Sequence, residues 1–252
     1  MSETSFSYGD IFNRVNRLVG TGTMEHIRHC RIIIFGVGGV GSWTVESLVR
    51  SGVQHITIVD ADCVATSNIN RQLPALTTTV GKSKVEVLRQ RMLDINPQAE
   101  IEAINMLYTA DTASQFCLSD YDYVVDAIDS LSDKALLITE ATKSTARLVS
   151  SMGAALKMDP TRISVAEFWK VKGCPLAAAL RRKFKKSGIM PRKKFRCVYS
   201  DELIANRGDD TDRSGAMTFG KVAINGALCH ITAIFGFTLA GLILNDIYKT
   251  IR

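Results

Sequence analysis

The stretch "RIIIFGVGGVGSWTVESLVRSGVQHITIVDAD", residues 31–62, decides the fold of this chain. An apolar run ends in the pattern G-x-G-x-x-G, made by Gly36, Gly38 and Gly41, and a helical pattern follows it. A second apolar run ends on Asp60, 24 residues after Gly36. The first glycine allows a tight turn, the second lets a phosphate approach the backbone, and the third lets the helix pack on the strand. Free N–H groups and the helix dipole favour an anion, so we predict a nucleotide site with Asp60 at the ribose.

Strand and helix patterns alternate from this stretch to about residue 150. Strands are predicted at 31–35, 55–59, 100–104, 121–127 and 147–151. Helices are predicted at 40–51, 84–95, 109–118 and 133–145. Repetition of this kind gives a parallel sheet with right-handed crossovers. The predicted fold class is therefore α/β, with a Rossmann-like, doubly wound and mainly parallel sheet.

The regular alternation of strand and helix patterns ends at about Gly153. The pattern predicts an antiparallel strand in "RISVAEFWK" (162–170), a basic helix in "PLAAALRRKFKKSG" (175–188), a strand in "FRCVYSD" (195–201), a polar loop in "ANRGDDTDRSG" (205–215) and a final helix from about Lys221. We predict one domain over 1–252, with a nucleotide-binding part (1–153), an extension of the sheet by antiparallel strands (154–220) and a C-terminal helix (221–252).

The six cysteines are scattered, and no two of them form a C-x-x-C pair. This usage predicts neither a disulfide framework nor a four-cysteine zinc site, and it favours a reducing compartment. The first ten residues contain neither a basic nor an apolar region, so a signal peptide is not expected. We therefore expect a cytoplasmic globular protein, for which the apolar content of 46% is ordinary.

Residues 222–244 form an uncharged run of 23 residues, which is long enough to cross a bilayer. Asn225, His230, two threonines and three glycines interrupt the run. A helix buried in a core or in a subunit interface has the same pattern. We favour the buried helix and do not expect contact with a membrane.

The net charge of +6 is distributed unevenly. The segment 168–200 has eleven Lys or Arg and no Asp or Glu, so the remainder has 31 − 11 = 20 basic against 25 acidic residues. A basic segment on an acidic body predicts a polyanionic partner; the alternative is a solvated helix and loop. The predicted nucleic-acid contacts are Arg181, Arg182, Lys185, Lys186, Arg192, Lys193 and Lys194.

Several polar side chains follow Asp60 where a dehydrogenase has no evident need for them. They are Asp62, Asn68, Arg71, Gln72 and Lys84. ATP reacts at phosphorus, and its transition state is stabilised by Arg, Lys and a divalent metal. Asp126 and Asp129 end a predicted strand, where a doubly wound sheet binds ligands and where a carboxylate could hold Mg²⁺. The set favours ATP over a nicotinamide cofactor.

Four segments resemble the ThiF/MoeB/HesA superfamily, which comprises the ubiquitin-activating enzymes and bacterial relatives that adenylate sulfur-carrier proteins. They are "GVGGVGS", "VDADCVATSNINRQ", "VGKSKVEVLRQRMLDINP" and "DYVVDAIDS". Two more, "MDPTRISVAEFWKVKGCPLAAALRRKFKKSGI" and "CVYSDE", resemble one branch, the tRNA threonylcarbamoyladenosine dehydratases. With these two, the similarity runs through nearly the whole chain.

The resemblance implies roles for the residues at matching positions. Gly36, Gly38, Gly39 and Gly41 would hold the ATP phosphates, Asp60 the ribose, Asp62, Asn68, Arg71 and Lys84 the triphosphate, and Asp129 Mg²⁺. An arginine near the N-terminus would reach the ATP site of the partner subunit, and its spacing to Gly20 favours Arg14 over Arg17. The implied catalytic residues are therefore Arg71, Lys84, Asp129 and Arg14.

The resemblance also implies a reaction. These dehydratases attach AMP to the threonylcarbamoyl carboxylate of an adenosine beside the tRNA anticodon, and cyclisation then expels AMP. A homodimer is expected, with Na⁺ or K⁺ as an associated ion and cysteine desulfurases or sulfur-acceptor proteins as further partners. The basic segment fits the tRNA, and the carrier-activating relatives commonly have the two C-x-x-C zinc pairs that this chain lacks.

Two alternatives stay open at this point. The first is an enzyme that adenylates a ubiquitin-like protein, a sulfur-carrier protein or a small peptide. The second is a scaffold that binds a nucleotide without turnover, although a pure binder would not need Arg71, Lys84 and Asp129 together. Cys197 is a candidate accessory cysteine, but we expect Cys174, Cys197 and Cys229 to be buried as small hydrophobic residues.

Overall fold

Helices cover both faces of one seven-stranded sheet in this chain. The computed structural model describes residues 7–208 and 225–251. The helices are α1 Tyr8–Ile11, α2 Asn13–Val19, α3 Thr21–His29, α4 Gly41–Arg50, α5 Lys84–Ile95, α6 Leu131–Lys143, α7 Pro175–Ser187 and α8 Cys229–Thr250. The strands are β1 Arg31–Phe35, β2 His55–Val59, β3 Glu100–Ile104, β4 Tyr123–Asp126, β5 Arg147–Ser151, β6 Ile163–Glu167 and β7 Arg196–Ser200.

The strand order is β3-β2-β1-β4-β5-β7-β6. Every neighbouring pair is parallel except β6 and β7. The predicted α/β, doubly wound fold is confirmed, and its topological switch point lies between β1 and β4. Within its described residues, the extension after Gly153 contributes one strand, β6, that runs against the others, because β7 is parallel to β5 and antiparallel to β6. The division of the domain at residues 153 and 220 stays a prediction.

The buried strands explain why the first half of the sequence predicts its elements so closely. In β1, Ile32 and Ile34 pack on one face of the sheet, and Ile33 and Phe35 pack on the other. A strand covered on both faces needs apolar residues at every position. The bounds of β1, β2, β3 and β5 agree with the prediction, and β4 is shorter than predicted.

Two helical layers bury the sheet. On one face, α4, α5 and α8 contribute Leu48, Leu88 and Phe235 to the core. On the other face, α6 and α7 contribute Ile138 and Phe184. The longest helix, α8, is apolar enough to cross a membrane, but half of its most apolar stretch is buried inside the protein.

The helix predicted at 109–118 is wrong. The segment contains two short 3₁₀ turns, at Ala113–Gln115 and Leu118–Asp120. The Thr112 hydroxyl accepts a hydrogen bond from the Thr109 amide at 2.9 Å and donates to the Leu107 carbonyl at 2.6 Å. These side-chain bonds occupy backbone groups that a helix needs, so the hydroxyl competes with the helix.

The final helix begins later than predicted. Residues 225–228 are not helical, and α8 begins at Cys229 rather than near Lys221. Residue 221 itself and most of the loop predicted at 205–215 lie outside the described residues.

Candidate active site

The glycine-rich turn joins β1 to α4 at the carboxyl edge of the sheet. Gly36 has a φ of +84°, and a Cβ at this residue would lie 2.8 Å from the Ala127 carbonyl oxygen. A Cβ at Gly41 would lie 1.8 Å from the Gly36 carbonyl oxygen. Neither position accepts a larger residue. Within the described part of the chain, the amides of residues 38–40 make no hydrogen bond, so three N–H donors remain for an anion.

The first turn of α8 lies beside this glycine turn, which the sequence did not predict. A Cβ at Gly39 would lie 3.2 Å from Thr232 Cγ2. Thr232 Oγ1 lies 3.4 Å from the Arg71 carbonyl oxygen and 3.0 Å from the Cys229 carbonyl oxygen, which is the nearer acceptor for its one proton. Trp43 Nε1 donates to the Arg71 carbonyl at 3.1 Å. The start of α8 therefore contacts the backbone of Arg71 and brings a positive helix end to the site.

Asp60 connects the end of β2 to the glycine turn. Its Oδ2 accepts from the Val37 amide at 2.8 Å, and its Oδ1 accepts from the Asp62 amide at 2.9 Å. Burial raises the pKa of Asp60, against the opposing effects of Lys84 and these two amides. Each oxygen keeps a lone pair that could accept from a ribose hydroxyl, and the ribose role stays a prediction.

Lys84 and Asp62 form an ion pair with 2.7 Å between Nζ and Oδ2. The Lys84 side chain is 5% exposed, and the Asp62 side chain is 34% exposed. Lys84 also lowers the pKa of the neighbouring Asp60, so the structure brings these three predicted residues together. Lys82, two residues before Lys84, is exposed.

Arg71 lies between the glycine turn and Asp129. Its Nη1 donates to the Ser67 carbonyl at 3.0 Å and to Asn70 Oδ1 at 2.8 Å. Burial lowers the pKa of Arg71, and the nearby Asp129 carboxylate acts in the opposite direction. Its Cγ would lie 3.5 Å from a Cβ at Gly39. The structure therefore places two predicted catalytic side chains beside the predicted phosphate site.

Asn68 and Gln72 hold the same loop in different ways. Asn68 Oδ1 accepts from the Ala65 amide at 3.1 Å, which leaves the Nδ2 group of Asn68 for a ligand. Gln72 is 9% exposed, and its Oε1 is buried without a hydrogen-bond partner in the described structure. A ligand that donates a hydrogen bond would remove the cost of this unpaired oxygen, so Gln72 fits the predicted contact.

Asp126 does not fit the predicted metal role. Its Oδ2 lies 2.7 Å from Lys134 Nζ and accepts from Ser150 Oγ at 2.6 Å, and the Asp126 and Lys134 side chains are fully buried. Lys134 was missed because lysine is usually a surface residue. Lys134 lies on the same face of α6 as the apolar residues Ala135 and Ile138, and this position is the signal in the sequence that Lys134 is buried.

Asp129 fits a magnesium ion that is shared with a nucleotide. Mg²⁺ is held by one or two carboxylates and the substrate phosphates rather than by a full set of protein ligands. Asp129 is exposed in the turn after β4, beside Arg71. No cluster of three or more potential metal ligands occurs among the described residues, so substrate phosphates would have to complete the coordination.

Arg14 and Arg17 both lie on α2 and are exposed. Arg17 Nε donates to Asn13 Oδ1 at 2.7 Å. Arg14 makes no ion pair within 7–208 or 225–251. Leu18, one turn after Arg14, is 82% exposed. The choice of Arg14 for contact with a partner subunit stays a prediction.

The predicted nucleic-acid contacts lie along α7 and the loop after it. Arg182, Lys185, Lys186, Arg192, Lys193 and Lys194 are exposed. Arg181 is half-buried, because its guanidinium packs over the Phe168 ring at 5.9 Å and Nη1 donates to the Phe168 carbonyl at 3.2 Å. The guanidinium of Arg181 is thus occupied within the protein, which does not favour the predicted contact.

Two of the three candidate cysteines are buried, which does not favour a nucleophilic role for them. Cys197 is fully buried, and burial raises the pKa of its thiol. Cys174 is buried as well, as predicted. The same prediction is wrong for Cys229, which is exposed at the first position of α8.

The sequence matches the ThiF family over residues 12–250. A tRNA threonylcarbamoyladenosine dehydratase of Bacillus subtilis (strain 168) is 43% identical over 245 residues, which cover 96% of this chain and 96% of that protein. The crystal structure of E. coli tRNA N6-threonylcarbamoyladenosine dehydratase, TcdA, in complex with ATP has a TM-score of 0.85 and 33% identity, and the match covers 98% of this chain and 97% of that chain. The complex of the same E. coli enzyme with AMP has a TM-score of 0.86 and 33% identity, and the match covers 99% of this chain and 98% of that chain.

Proposed function

The chain belongs to the ThiF family, and on that premise we propose that it is an ATP-dependent tRNA threonylcarbamoyladenosine dehydratase. The observation that carries the proposal is the extent of the similarity, because the match to proteins of that name spans nearly the whole chain, including the basic segment. Two of these matches are solved structures with ATP or AMP bound. Activation of a sulfur-carrier protein is therefore the less favoured function.

The proposed reaction has two chemical steps. The substrate carboxylate attacks the α-phosphorus of ATP, pyrophosphate leaves, and an acyl-adenylate forms. A nitrogen of the carbamoyl group then attacks the acyl carbon and loses its proton, while the bond from that carbon to the AMP oxygen breaks. AMP leaves with the oxygen that came from the carboxylate, so the nucleoside has lost one water.

The described residues have distinct tasks in the first step. The free amides of residues 38–40 bind phosphate oxygens, and Asp60 orients the ribose. Arg71 and Lys84 offset the charge that develops on the α-phosphate and on the departing pyrophosphate. Their surroundings are partly dry, since Lys84 is buried and Arg71 is half-buried, and this strengthens their electrostatic effect.

Asp129 would hold Mg²⁺ at the nucleotide site. When bound, the ion would supply positive charge that offsets the charge of the phosphates. The turn that carries Asp129 packs against the glycine turn. This is evident from Gly36, where an added Cβ would contact the backbone of Ala127 and Ile128. This packing keeps the carboxylate beside the phosphate site.

We also propose a homodimer in which Arg14 enters the partner's nucleotide site. Arg14 and Leu18 are four residues apart and share a face of α2. An 82% exposed leucine beside an arginine with no ion pair in the described structure suits a surface that a second copy covers.

Four further proposals rest on the family resemblance and composition alone. They are a cytoplasmic location, a bound Na⁺ or K⁺, no membrane contact, and a cysteine desulfurase or sulfur-acceptor protein as a second partner. The exposed thiols of Cys63, Cys117 and Cys229 are the groups that a sulfur-transfer partner would find accessible.

The test of the dehydratase proposal is a nucleoside analysis. The protein is incubated with ATP, Mg²⁺ and tRNA that carries threonylcarbamoyladenosine, and the digested nucleosides are analysed by mass spectrometry. We expect an ATP-dependent loss of one water from the modified adenosine. Arg71→Ala should abolish it, and Lys82→Ala, which alters an exposed neighbour of Lys84, should not. No loss of water, together with pyrophosphate exchange stimulated by a sulfur-carrier protein, would favour the alternative enzyme.

A further inference from the structure

A basic pocket lies at the amino edge of the sheet, opposite the nucleotide site. Its volume is about 280 Å³, and Thr142, Arg147, Lys193, Lys194 and Arg196 are among the residues that line it. Arg147 and Arg196 are the first residues of the parallel strands β5 and β7. We call it the amino-edge pocket. It has no part in the adenylation site, because the glycine turn and Asp129 lie at the carboxyl ends of the strands.

The charges of the amino-edge pocket are not balanced within the protein. Four cations line it, against the carboxylates of Glu167 and Asp246, which gives 4 − 2 = +2. Asp246 is paired with Arg196. Arg147, Lys193 and Lys194 have no ion pair in the described portion of the chain. An anion entering the pocket would therefore meet three cations that have no ion pair, together with the Glu167 carboxylate.

Hydrogen bonds hold the loop before β7 in place, and this loop carries Lys193 and Lys194 of the pocket lining. The Arg192 amide donates to Thr142 Oγ1 at 3.0 Å, and Lys193 Nζ donates to the Ser144 carbonyl. Arg147 Nη1 donates to the Tyr123 hydroxyl at 3.3 Å, with its guanidinium carbon 5.9 Å from the centre of that ring. The cations are thus attached to the end of α6 and the start of β5.

Exposed basic side chains on the second half of α7 extend the basic surface from the pocket towards the edge that holds the nucleotide. The chain just before α7 packs on Asp201, after the carboxyl end of β7, and Phe184 near its other end packs on Phe168 at the amino edge. Helix α7 therefore runs from one edge of the sheet to the other beside α6. Lys183 Nζ lies 3.4 Å from Ser132 Oγ, three residues after Asp129. Arg182, Lys185 and Lys186 are also exposed on α7.

The dimensions suit a nucleic-acid backbone. Helix α6, which separates the two edges, has 13 residues and is therefore about 20 Å long. A nucleic-acid strand carries one charge about every 3.4 Å of helix axis, so a track of this length faces about six phosphates. A small anion would occupy only the pocket and leave the basic residues of α7 without a partner.

We infer that the amino-edge pocket binds a backbone phosphate of the tRNA whose modified adenosine lies at the nucleotide site, about 20 Å away. This inference rests on the proposed function for the identity of the RNA. The pocket acts on affinity and not on chemistry, because its cations contact the phosphate backbone and lie far from the reacting carboxylate.

The test compares two variants that each lose two positive charges. Lys193→Ala with Lys194→Ala removes two exposed cations of the pocket, and Arg50→Ala with Lys249→Ala removes two from helices on the other face of the sheet. Binding of a fluorescent, unmodified tRNA transcript to the full chain is measured by anisotropy over a range of salt concentrations. Thermal unfolding of each variant confirms that it is folded.

We expect the pocket variant to bind the transcript more weakly and to lose about 0.7 to 0.9 from the slope of log affinity against log salt, the value for one phosphate contact. The control should keep a slope within about 0.3 of the original. Equal slopes for the two variants would overturn the inference, and so would displacement of the tRNA by a poly-glutamate peptide at equal charge. The transcript is unmodified and its binding requires no reaction. The anisotropy result can therefore be interpreted even if the protein does not dehydrate threonylcarbamoyladenosine.

Discussion

Asp126 and Lys134 form a fully buried ion pair, with 2.7 Å between Oδ2 and Nζ, and both side chains also bind the backbone of Ile128. The Ile128 amide donates to Asp126 Oδ1 at 3.2 Å, and Lys134 Nζ donates to the Ile128 carbonyl at 3.0 Å. The turn that carries Asp129 is therefore held from both sides. A buried pair thus orders a carboxylate expected to meet the metal.

Removal of Lys134 should destabilise the fold strongly. Lys134→Ala leaves Asp126 as an unpaired buried charge, so the free energy of unfolding should fall by about 3–5 kcal/mol. Lys143→Ala, in the same helix, breaks a more exposed pair with Glu140 and should cost no more than about 1 kcal/mol. Urea unfolding measures both. Similar losses of unfolding free energy for the two variants would show that the buried pair stabilises the fold no more than the exposed pair does.

Gly36→Ala should abolish ATP-dependent turnover. Its φ of +84° is strained for alanine, and the new Cβ would lie 2.8 Å from the Ala127 carbonyl oxygen. Gly81→Ala is the matched control, since Gly81 has a φ of +85° but no atom within 4 Å of the added Cβ. The control should lose about 1 kcal/mol of stability and keep its activity. The rate of AMP formation distinguishes them, and an active Gly36→Ala variant would contradict the role of the turn.

Asp60 should make stability depend on pH in a particular direction. Because burial raises its pKa, the folded state binds more protons than the unfolded state between the unfolded value of about 4 and the folded value. The contribution of Asp60 to the free energy of unfolding should therefore rise as the pH falls through that window. Urea unfolding of the wild type and of Asp60→Asn is compared from pH 7 to pH 4. We expect the wild type to gain stability relative to Asp60→Asn as the pH falls, and a relative loss would contradict the raised pKa.

Arg14 should act on the nucleotide site of the partner subunit. Arg14→Ala and Asp129→Ala should each be inactive alone, whereas a mixture of the two chains should recover activity because each mixed dimer contains one site with both residues. Arg17→Ala, on the same helix, should remain active alone. Mixed dimers purified with two different affinity tags and then assayed for AMP formation provide the measurement. Inactive mixed dimers would place Arg14 in its own chain's site, and an Arg14→Ala variant that is active alone would place Arg14 outside any site.

The sequence predicted the elements that depend on local patterns. Strands such as β1 are apolar at consecutive positions because both faces are buried, and a glycine turn between such a strand and a helix is typical of a doubly wound nucleotide-binding sheet. Asp60, Lys84 and Arg71 could be assigned to one site because the carboxyl ends of neighbouring parallel strands share an edge. In the structure Asp60 and Lys84 lie close to each other, and Arg71 lies beside Gly39; their shared role stays a prediction.

The features that were missed depend on contacts between distant parts of the chain. Thr232 lies 161 residues from Arg71, whose carbonyl it contacts, and nothing local to α8 indicates this contact. The helix predicted at 109–118 does not form because the Thr112 hydroxyl binds the Thr109 amide, a contact that the sequence pattern does not show. Lys134 could have been found, since it falls on the apolar stripe of α6, but composition alone treats lysine as a surface residue.

The most direct test of the account follows one oxygen atom. A tRNA whose threonylcarbamoyl carboxylate carries a heavy oxygen isotope is converted with unlabelled ATP, and AMP, pyrophosphate, phosphate and water are analysed by mass spectrometry. If the carboxylate attacks the α-phosphorus, the label lost from the nucleoside appears in AMP. Label in inorganic phosphate or in water, with none in AMP, would contradict adenylation at this site.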